Sequence, residues 1–527
     1  MLKHWVYCFV ISLSVIFISC DDEEQPDIQQ PVVGVEVLQN DNAVDLTDDL
    51  RGILDLKISA SDNGKIKSVQ VLVDGTVIKE IESVELVETE FDTRTVADGV
   101  HDVKISVSDQ AGNTAEKILQ VKTANLMFSY TVSSHFIQTA PQENTNVKKW
   151  LVLSDDEGVV FEYKLMPTPG IYTFQYPLDF SDAHFNVTVV DQYAHVQAQT
   201  KDFSAQTILN VTPGVYIKLQ FPTGESGPFD KIHIVKKADN AAGFNFMVDS
   251  QGATNERYVG EHTELPLNIA TSDMYVYNED GAPGLRYFYY PEIRAGETTI
   301  LDLNFLYNKM IPLSVHTLSS DNFDFFSLVT GVTAGGEELF CSLSGSGANP
   351  SPIALYYPEE LMGNVFPRFN SLVSFKKIEN GFETTTQYTK ETEGFLPSIE
   401  ELSAGVLGVP SKKYPAIDIA LTGAADYVEV NLLRTNPADQ YFSWTVTSPF
   451  SLQCSFKLPH LPSGLLSEIG LGDVPDMAIQ NIRLVDQENI AAYEMTFRRW
   501  LETPVGLAYS YQDNQRNRKS KEFKIAP

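Results

Sequence analysis

The chain has 527 residues, room for three or four domains at about 100–200 residues each. Its 38 Lys and Arg against 70 Asp and Glu leave a formal charge of −32, which repels phosphate backbones and argues against nucleic-acid binding. Hydrophobic residues at 43% support folded cores rather than disorder, and four cysteines are too few for a disulfide-dense scaffold or a cysteine-rich metal protein.

Lys3 and His4 precede an apolar run from Trp5 to Ser19, broken only by Ser12 and Ser14. That run is short for a membrane span, which needs about twenty residues, and fits the core of a signal peptide. It stops at Cys20, with Asp21, Asp22, Glu23 and Glu24 directly after. Ile18-Ser19-Cys20 resembles the bacterial lipobox, and Cys20 to Glu24 resembles the acidic export tag of Bacteroidota surface lipoproteins. The resemblance implies cleavage before Cys20, acylation of that cysteine, and an outer-membrane location facing outward. Residues 20–31 then read as an acidic tether, because Ile28 is their one large apolar side chain. Of the other cysteines Cys8 leaves with the signal; Cys341 and Cys454 stand in apolar, strand-like stretches, as a disulfide or as two buried thiols.

Residues 32–125 predict one all-β sandwich. Leu54, Leu56, Ile58 and Ala60 alternate with polar neighbours, as do Val69, Val71 and Val73, and then His101, Val103, Ile105 and Val107. Asp74-Gly75 and Asp98-Gly99 supply turn signals between them. Val73-Asp74-Gly75, Phe91-Asp92-Thr93, Asp98-Gly99-Val100-His101 and Ser108-Asp109-Gln110-Ala111-Gly112-Asn113, in that order, resemble bacterial Ig-like domains of cell-surface proteins. That resemblance implies a spacer or adhesion module and brings no catalytic residues. His101 shares a strand face with Val103, the position of a hydrogen-bonded core or corner histidine. Asp62, Asp74 and Asp109 are each placed to cap a turn, or together to hold a calcium ion at one loop end. No other cofactor is expected.

From Leu126 onward strand-like runs recur: Phe128 to Val132, Trp150 to Leu153, Val159 to Leu165, Phe185 to Val190, Val215 to Phe221, Met274 to Tyr277, Leu285 to Tyr290, Thr298 to Phe305 and Val428 to Leu433. Short helices are expected at Pro358 to Met362, Pro397 to Ser403 and Ser463 to Ile469, and a long loop at Gly331 to Pro352. Gln487 to Glu502 admits either state: Tyr493, Met495 and Phe497 alternate as in a strand, while local propensity permits a helix. The expected fold is therefore all-β, with tandem β-sandwich domains over 32–125, 126–240, 241–424 and 425–527 after a signal peptide (1–19) and the tether.

The chain contains no His-Glu-x-x-His, Gly-x-Ser-x-Gly, Walker, dinucleotide or EF-hand motif, and no two histidines lie within four residues of one another. Gly224-Glu225-Ser226-Gly227 reads as a loop. The expectation is a non-catalytic protein. Tyr287-Phe288-Tyr289-Tyr290 puts two aromatics on each face of a strand, one face being the more exposed, and Tyr441-Phe442-Ser443-Trp444 is similar. Aromatic rings stack against the apolar faces of sugars, so Tyr287, Tyr289 and Trp444 become candidate glycan-binding residues, beside the alternative that they fill the core. Between Arg498 and Lys524 seven basic residues oppose three acids, a local excess suited to a solvated hairpin or an acidic partner. Binding of polysaccharide or adhesion leads, a structural accessory role in an outer-membrane complex stands second, and a glycoside hydrolase with unseen carboxylates third.

Overall fold

The computed structural model describes residues 27–525 apart from 134–144, 179, 196–199, 219–230, 243–244, 251–256, 268–269, 279–285, 303–307, 310, 317–322, 337, 347–352, 435–440, 489, 491 and 503–516. The signal-peptide segment, Cys20 and Gly224 to Gly227 lie outside the described residues. The chain is all-β, and it divides into two compact units: residues 1–126 with 175–179, and 127–174 with 180–527.

The first unit is a sandwich of two four-stranded antiparallel sheets. One runs Asn42–Ala43, Val32–Gln39, Ile53–Ser61, Leu86–Asp92; the other runs Thr76–Glu82, Ile66–Val73, Gly99–Asp109, Thr114–Thr123. The period-two pattern is what closes it. Leu54, Leu56 and Ile58 turn inward from one sheet and Val69, Val71, Val103, Ile105 and Val107 from the other, all fully buried in one cluster. Each such side chain contributes about 1.5–3 kcal/mol of burial.

In the second unit one fifteen-stranded sheet dominates. Its main path runs Val160–Leu165, Thr145–Ser154, Phe185–His195, Thr200–Val211, Phe442–Pro449, Tyr427–Arg434, Met477–Gln487, Arg518–Lys524, Phe382–Thr392, Arg368–Glu379, Phe323–Val332, Glu338–Ser346. Two features set its topology. Thr200–Val211 pairs in parallel with Phe442–Pro449, more than two hundred residues later in the chain, and Arg518–Lys524 inserts between Met477–Gln487 and Phe382–Thr392. Smaller sheets pack beside it, among them Arg257–Val259, Phe246–Ser250, Thr271–Asn278, Arg286–Arg294, Asn308–Lys309.

Helices are few among the described residues. Ser463–Ile469 forms where expected and ends at Gly470, whose left-handed φ of 80° lets its N–H reach the carbonyls of Leu466 and Ser467. Pro358 to Met362 contracts to a 3-10 turn at Glu359–Leu361, and Pro397 to Ser403 is not helical. Tyr493–Glu502 is an α-helix: Tyr493, Phe497 and Leu501 recur every four residues on one face, and Arg498 pairs with both Glu494 and Glu502. The expected loop after Gly331 is instead a hairpin. Gly336 turns the chain at φ +89° and Glu338–Ser346 returns along Phe323–Val332. Gly331 is required there, since a Cβ would stand 2.5 Å from the Phe366 ring. Cys341 and Cys454 are two separate buried thiols, each pushed above the usual thiol range by burial.

Candidate functional site

The residues singled out as an aromatic platform are in the core. Trp444 is 0% exposed, packs against Phe442 and Tyr414, and donates its indole N–H to Thr207 Oγ1 at 2.8 Å. Tyr287 is 1% exposed and stacks on Tyr275 with ring centroids 5.4 Å apart. Tyr289 is half-buried and donates to Asp273 Oδ2 at 2.7 Å. The expectation of one exposed face fails because Arg286–Arg294 lies in a sheet covered on both sides. Tyr287 belongs to a core with Phe325, Val329 and Phe369, whereas Phe288 belongs to another with Val235, Val248 and Leu265. A ring packed in this way offers no face to a soluble sugar.

The accessible chemistry lies one residue to either side of Trp444. Strand alternation turns Ser443 and Thr445 to the opposite face, where they help to line a cavity of about 270 Å³. Register builds its floor. Asp191 stands opposite Ser204 and Ser204 opposite Ser443; in the next row Gln206 stands opposite Thr445. Thr445 donates to Asn431 Oδ1 and Asn431 Nδ2 donates to Asn481 Oδ1, a cross-strand ladder that fixes the Thr445 end of the floor. Lys218 and Trp500 complete the lining, the latter from the Tyr493–Glu502 helix. That helix is seated by Phe497, 1% exposed against Tyr216, and by the Tyr493 hydroxyl at the carbonyls of Leu209 and Thr447.

Charges around the cavity are arranged in order. Lys149 faces Asp191 across paired strands and its ammonium lies 2.7 Å from Asp191 Oδ2, to which the Tyr193 hydroxyl also donates at 3.1 Å. Asp191 Oδ1 is buried and has no hydrogen-bond partner. An orphaned carboxylate oxygen is costly unless something donates to it. Burial and then the Asp191 charge push the Tyr193 phenol up to about 12. Lys218 donates to the Trp500 carbonyl at 2.7 Å, with its ammonium 5.4 Å from the centroid of the Trp500 ring. Burial, followed by the charge of Lys149, lowers Lys218 to about 8. A second cavity, of about 300 Å³, is lined by Asn186 and Asn210 among others. There the Asn186 amide is consumed within the protein, donating to the Asp155 carbonyl and accepting from Asn210 N.

In the first unit the proposed acidic trio is partly replaced. Asp74 is occupied by His101: its Oδ2 lies 2.6 Å from His101 Nδ1, while His101 Nε2 lies 2.6 Å from the Ala97 carbonyl. Both ring nitrogens face acceptors, so the imidazole is held as a cation; the Asp74 hydrogen bond raises the His101 pKa and that same bond lowers the Asp74 pKa. The expected corner histidine is present, and its pairing removes Asp74 from any metal site. Asp27, from the end of the expected tether, takes its place. Carboxylate oxygens of Asp27, Asp62 and Asp109 lie within 4.8 Å of one another. Asp109 is held by the N–H groups of Gly112 and Asn113, Asn63 donates to Asp27 Oδ1, and Gly64 leaves space that a Cβ would fill at 3.0 Å from Asp27 Oδ2. Asp62 Oδ1 is buried without a hydrogen-bond partner. Three carboxylates and an orphaned oxygen form a hard, all-oxygen donor set of the kind that suits calcium or magnesium rather than zinc.

No protein-family model matches the sequence, and no curated protein matches it. Among solved structures, the chain is similar to fibronectin(III)-like modules of Clostridium thermocellum CbhA at 12% identity, covering 33% of this chain and 92% of that one, TM-score 0.14. It is also similar to the SGBP-B protein of a Bacteroides ovatus mixed-linkage glucan utilization locus, solved with a heptasaccharide, at 11% identity, 64% and 93% coverage, TM-score 0.15. A tetra-tandem repeat of a large adhesion protein matches at 11% identity, 87% and 95% coverage, TM-score 0.17. Similarity at this level assigns neither a family nor a function.

Proposed function

We propose that the chain is a non-catalytic glycan-binding protein of the bacterial cell envelope, tethered to the outer membrane by a lipid on Cys20. The observation that carries the binding reading is the cavity itself: an indole, an orphaned carboxylate oxygen and in-register hydroxyl and amide side chains line one space. A sugar presents the complement, an apolar ring face and a rim of hydroxyl donors. Among the described lining residues Asp191 is the one carboxylate, and Lys149 pairs it; glycoside hydrolysis calls for two carboxyl groups flanking the bond. The lipobox-like Ile18-Ser19-Cys20 and the acids after it support the tether.

The test is affinity electrophoresis of detergent-solubilised full-length protein across plant, algal and host polysaccharides. Wild type is expected to be retarded by at least one polymer class, and Trp500→Ala to weaken that binding by tenfold or more, a loss of about 1.4 kcal/mol. In cells Cys20→Ala is expected to abolish fatty-acid labelling and membrane fractionation while leaving retardation intact. Equal retardation of wild type and Trp500→Ala would remove this cavity from the reading.

Calcium belongs to the same proposal as a structural ion of the first unit, held by Asp27, Asp62 and Asp109. At a free concentration of about one hundred times its Kd, calcium is expected to raise the melting temperature of this unit by roughly 10 °C over the chelated protein, and Asp62→Asn to erase the difference. Identical calorimetric traces with calcium and with chelator would sink the assignment.

A further inference from the structure

We propose that the sugar recognised in the Trp500 cavity is a uronic acid, its carboxylate received by Lys218. This rests on the glycan-binding reading and names the class of ligand within it. The argument begins from charge. A chain at −32 repels polyanions at long range, yet such repulsion is screened beyond about 8 Å at physiological salt, so the groups at the cavity decide. There the balance reverses: two ammonium groups, Lys149 and Lys218, stand around the single carboxylate of Asp191. Lys149 is committed to Asp191 at 2.7 Å, and Lys218 is steered onto the cavity by its bond to the Trp500 carbonyl.

Lys218 is partly buried beside a like charge, and both conditions disfavour its ammonium form. An entering carboxylate offsets both at once, whereas a neutral sugar offsets neither. Position agrees with charge. A pyranuronate stacked on an indole carries its carboxylate one bond beyond the ring edge, and the Lys218 ammonium stands 5.4 Å from the indole centroid, off the ring where such a group arrives. Ring hydroxyls then face Ser204, Gln206, Ser443 and Thr445, and one of them can donate to Asp191 Oδ1. The volume, about 270 Å³, lies at the small end of ligand cavities, which run about 300–1,000 Å³, and so admits a single ring at a time.

The experiment uses full-length protein in detergent against polygalacturonate, alginate and glucuronan, each beside the same polymer with its carboxylates chemically reduced, and a neutral β-glucan. At least one polyuronate is expected to bind, with its reduced form at least tenfold weaker. Lys218→Gln is expected to lose at least tenfold on the polyuronate and nothing on the reduced polymer, while Lys218→Arg retains binding. Because the reduced polymers alter the ligand and not the protein, the result stands even if a Lys218 variant folds poorly. Equal binding of reduced and native polymers, or binding of the neutral glucan alone, would overturn the uronate assignment and leave the glycan reading standing. Absence of binding to all of them and to the wider polysaccharide panel would overturn both.

Discussion

Trp444→Ala is expected to lower the stability of the second unit by about 3–5 kcal/mol, read as a shift of the urea midpoint at unchanged slope. The side chain is 0% exposed in a cluster with Val430, Leu432, Ile482 and Leu484, so truncation leaves a cavity that neighbouring strands cannot close. Its indole N–H also ends a buried chain in which the Thr188 and Thr207 hydroxyls lie 2.7 Å apart and Thr207 Oγ1 accepts from Trp444. Trp444→Phe refills most of the space and forfeits only that donor, for about 1–2 kcal/mol. The contrast with Trp500→Ala is the point of the pair. Trp500 lines the cavity mouth, so its loss should cost ligand and little stability, whereas Trp444 should do the reverse. A Trp444→Ala protein with the wild-type urea curve and no glycan retardation would restore the platform reading rejected above.

How those two tryptophans differ shows what the sequence can and cannot tell. Alternation was legible wherever one sheet face is buried and the other wet: Leu54 to Ala60 and Val428 to Leu433 are strands, at Ile53–Ser61 and Tyr427–Arg434. It says which residues share a face, though not which face meets a second layer. Tyr287 and Phe288 point to opposite sides, yet both sides are covered, one by the large sheet and one by the small one. In Phe442–Pro449 the same alternation separates Trp444 from Ser443 and Thr445, and the pocket took the small polar residues.

The site is assembled from Asp191, Ser204, Lys218, Thr445 and Trp500, and only folding joins them. The parallel pairing of Thr200–Val211 with Phe442–Pro449 spans more than two hundred residues, and no local pattern encodes it. One signal was available. Tyr493, Phe497 and Leu501 at four-residue spacing, with Glu494, Arg498 and Glu502 interleaved at the same spacing, favour a helix over the strand that Tyr493, Met495 and Phe497 imitate. A helix with that inward face leaves Trp500 at its margin. Asp27 escaped for a different reason: its neighbours Pro26, Ile28 and Gln29 have the composition of a linker, and its role comes from Asp62 and Asp109, dozens of residues away.

Asp249 should make the second unit less stable as pH rises from about 4 to about 6, by roughly 3 kcal/mol at the full extent of its shift. The carboxyl is 7% exposed; Oδ2 accepts the Phe340 N–H at 2.9 Å and Oδ1 the Ser250 N–H at 2.8 Å. Those two bonds favour the anion, but burial outweighs them and the group is pushed up to about 6. An unfolded chain ionises this residue near 3.8, while the native protein holds the proton until about 6. Between those values the unfolded state therefore releases a proton that the folded state keeps, and folding loses free energy with each step upward; above about 6 both are ionised and the loss is complete. Asp249→Asn cannot titrate, so its stability should be flat across that window relative to wild type. It will sit below wild type at pH 4, where its amide N–H group opposes one of the two backbone donors, and close to it or above it at pH 7. Hydrogen exchange of the Glu338–Ser346 amides, which include the Phe340 donor, reads this locally, and taking variant minus wild type at each pH cancels the other titrating groups. If that difference stays constant from pH 4 to pH 7, the proton is not on Asp249, and the two backbone bonds are strong enough to keep a buried carboxylate ionised.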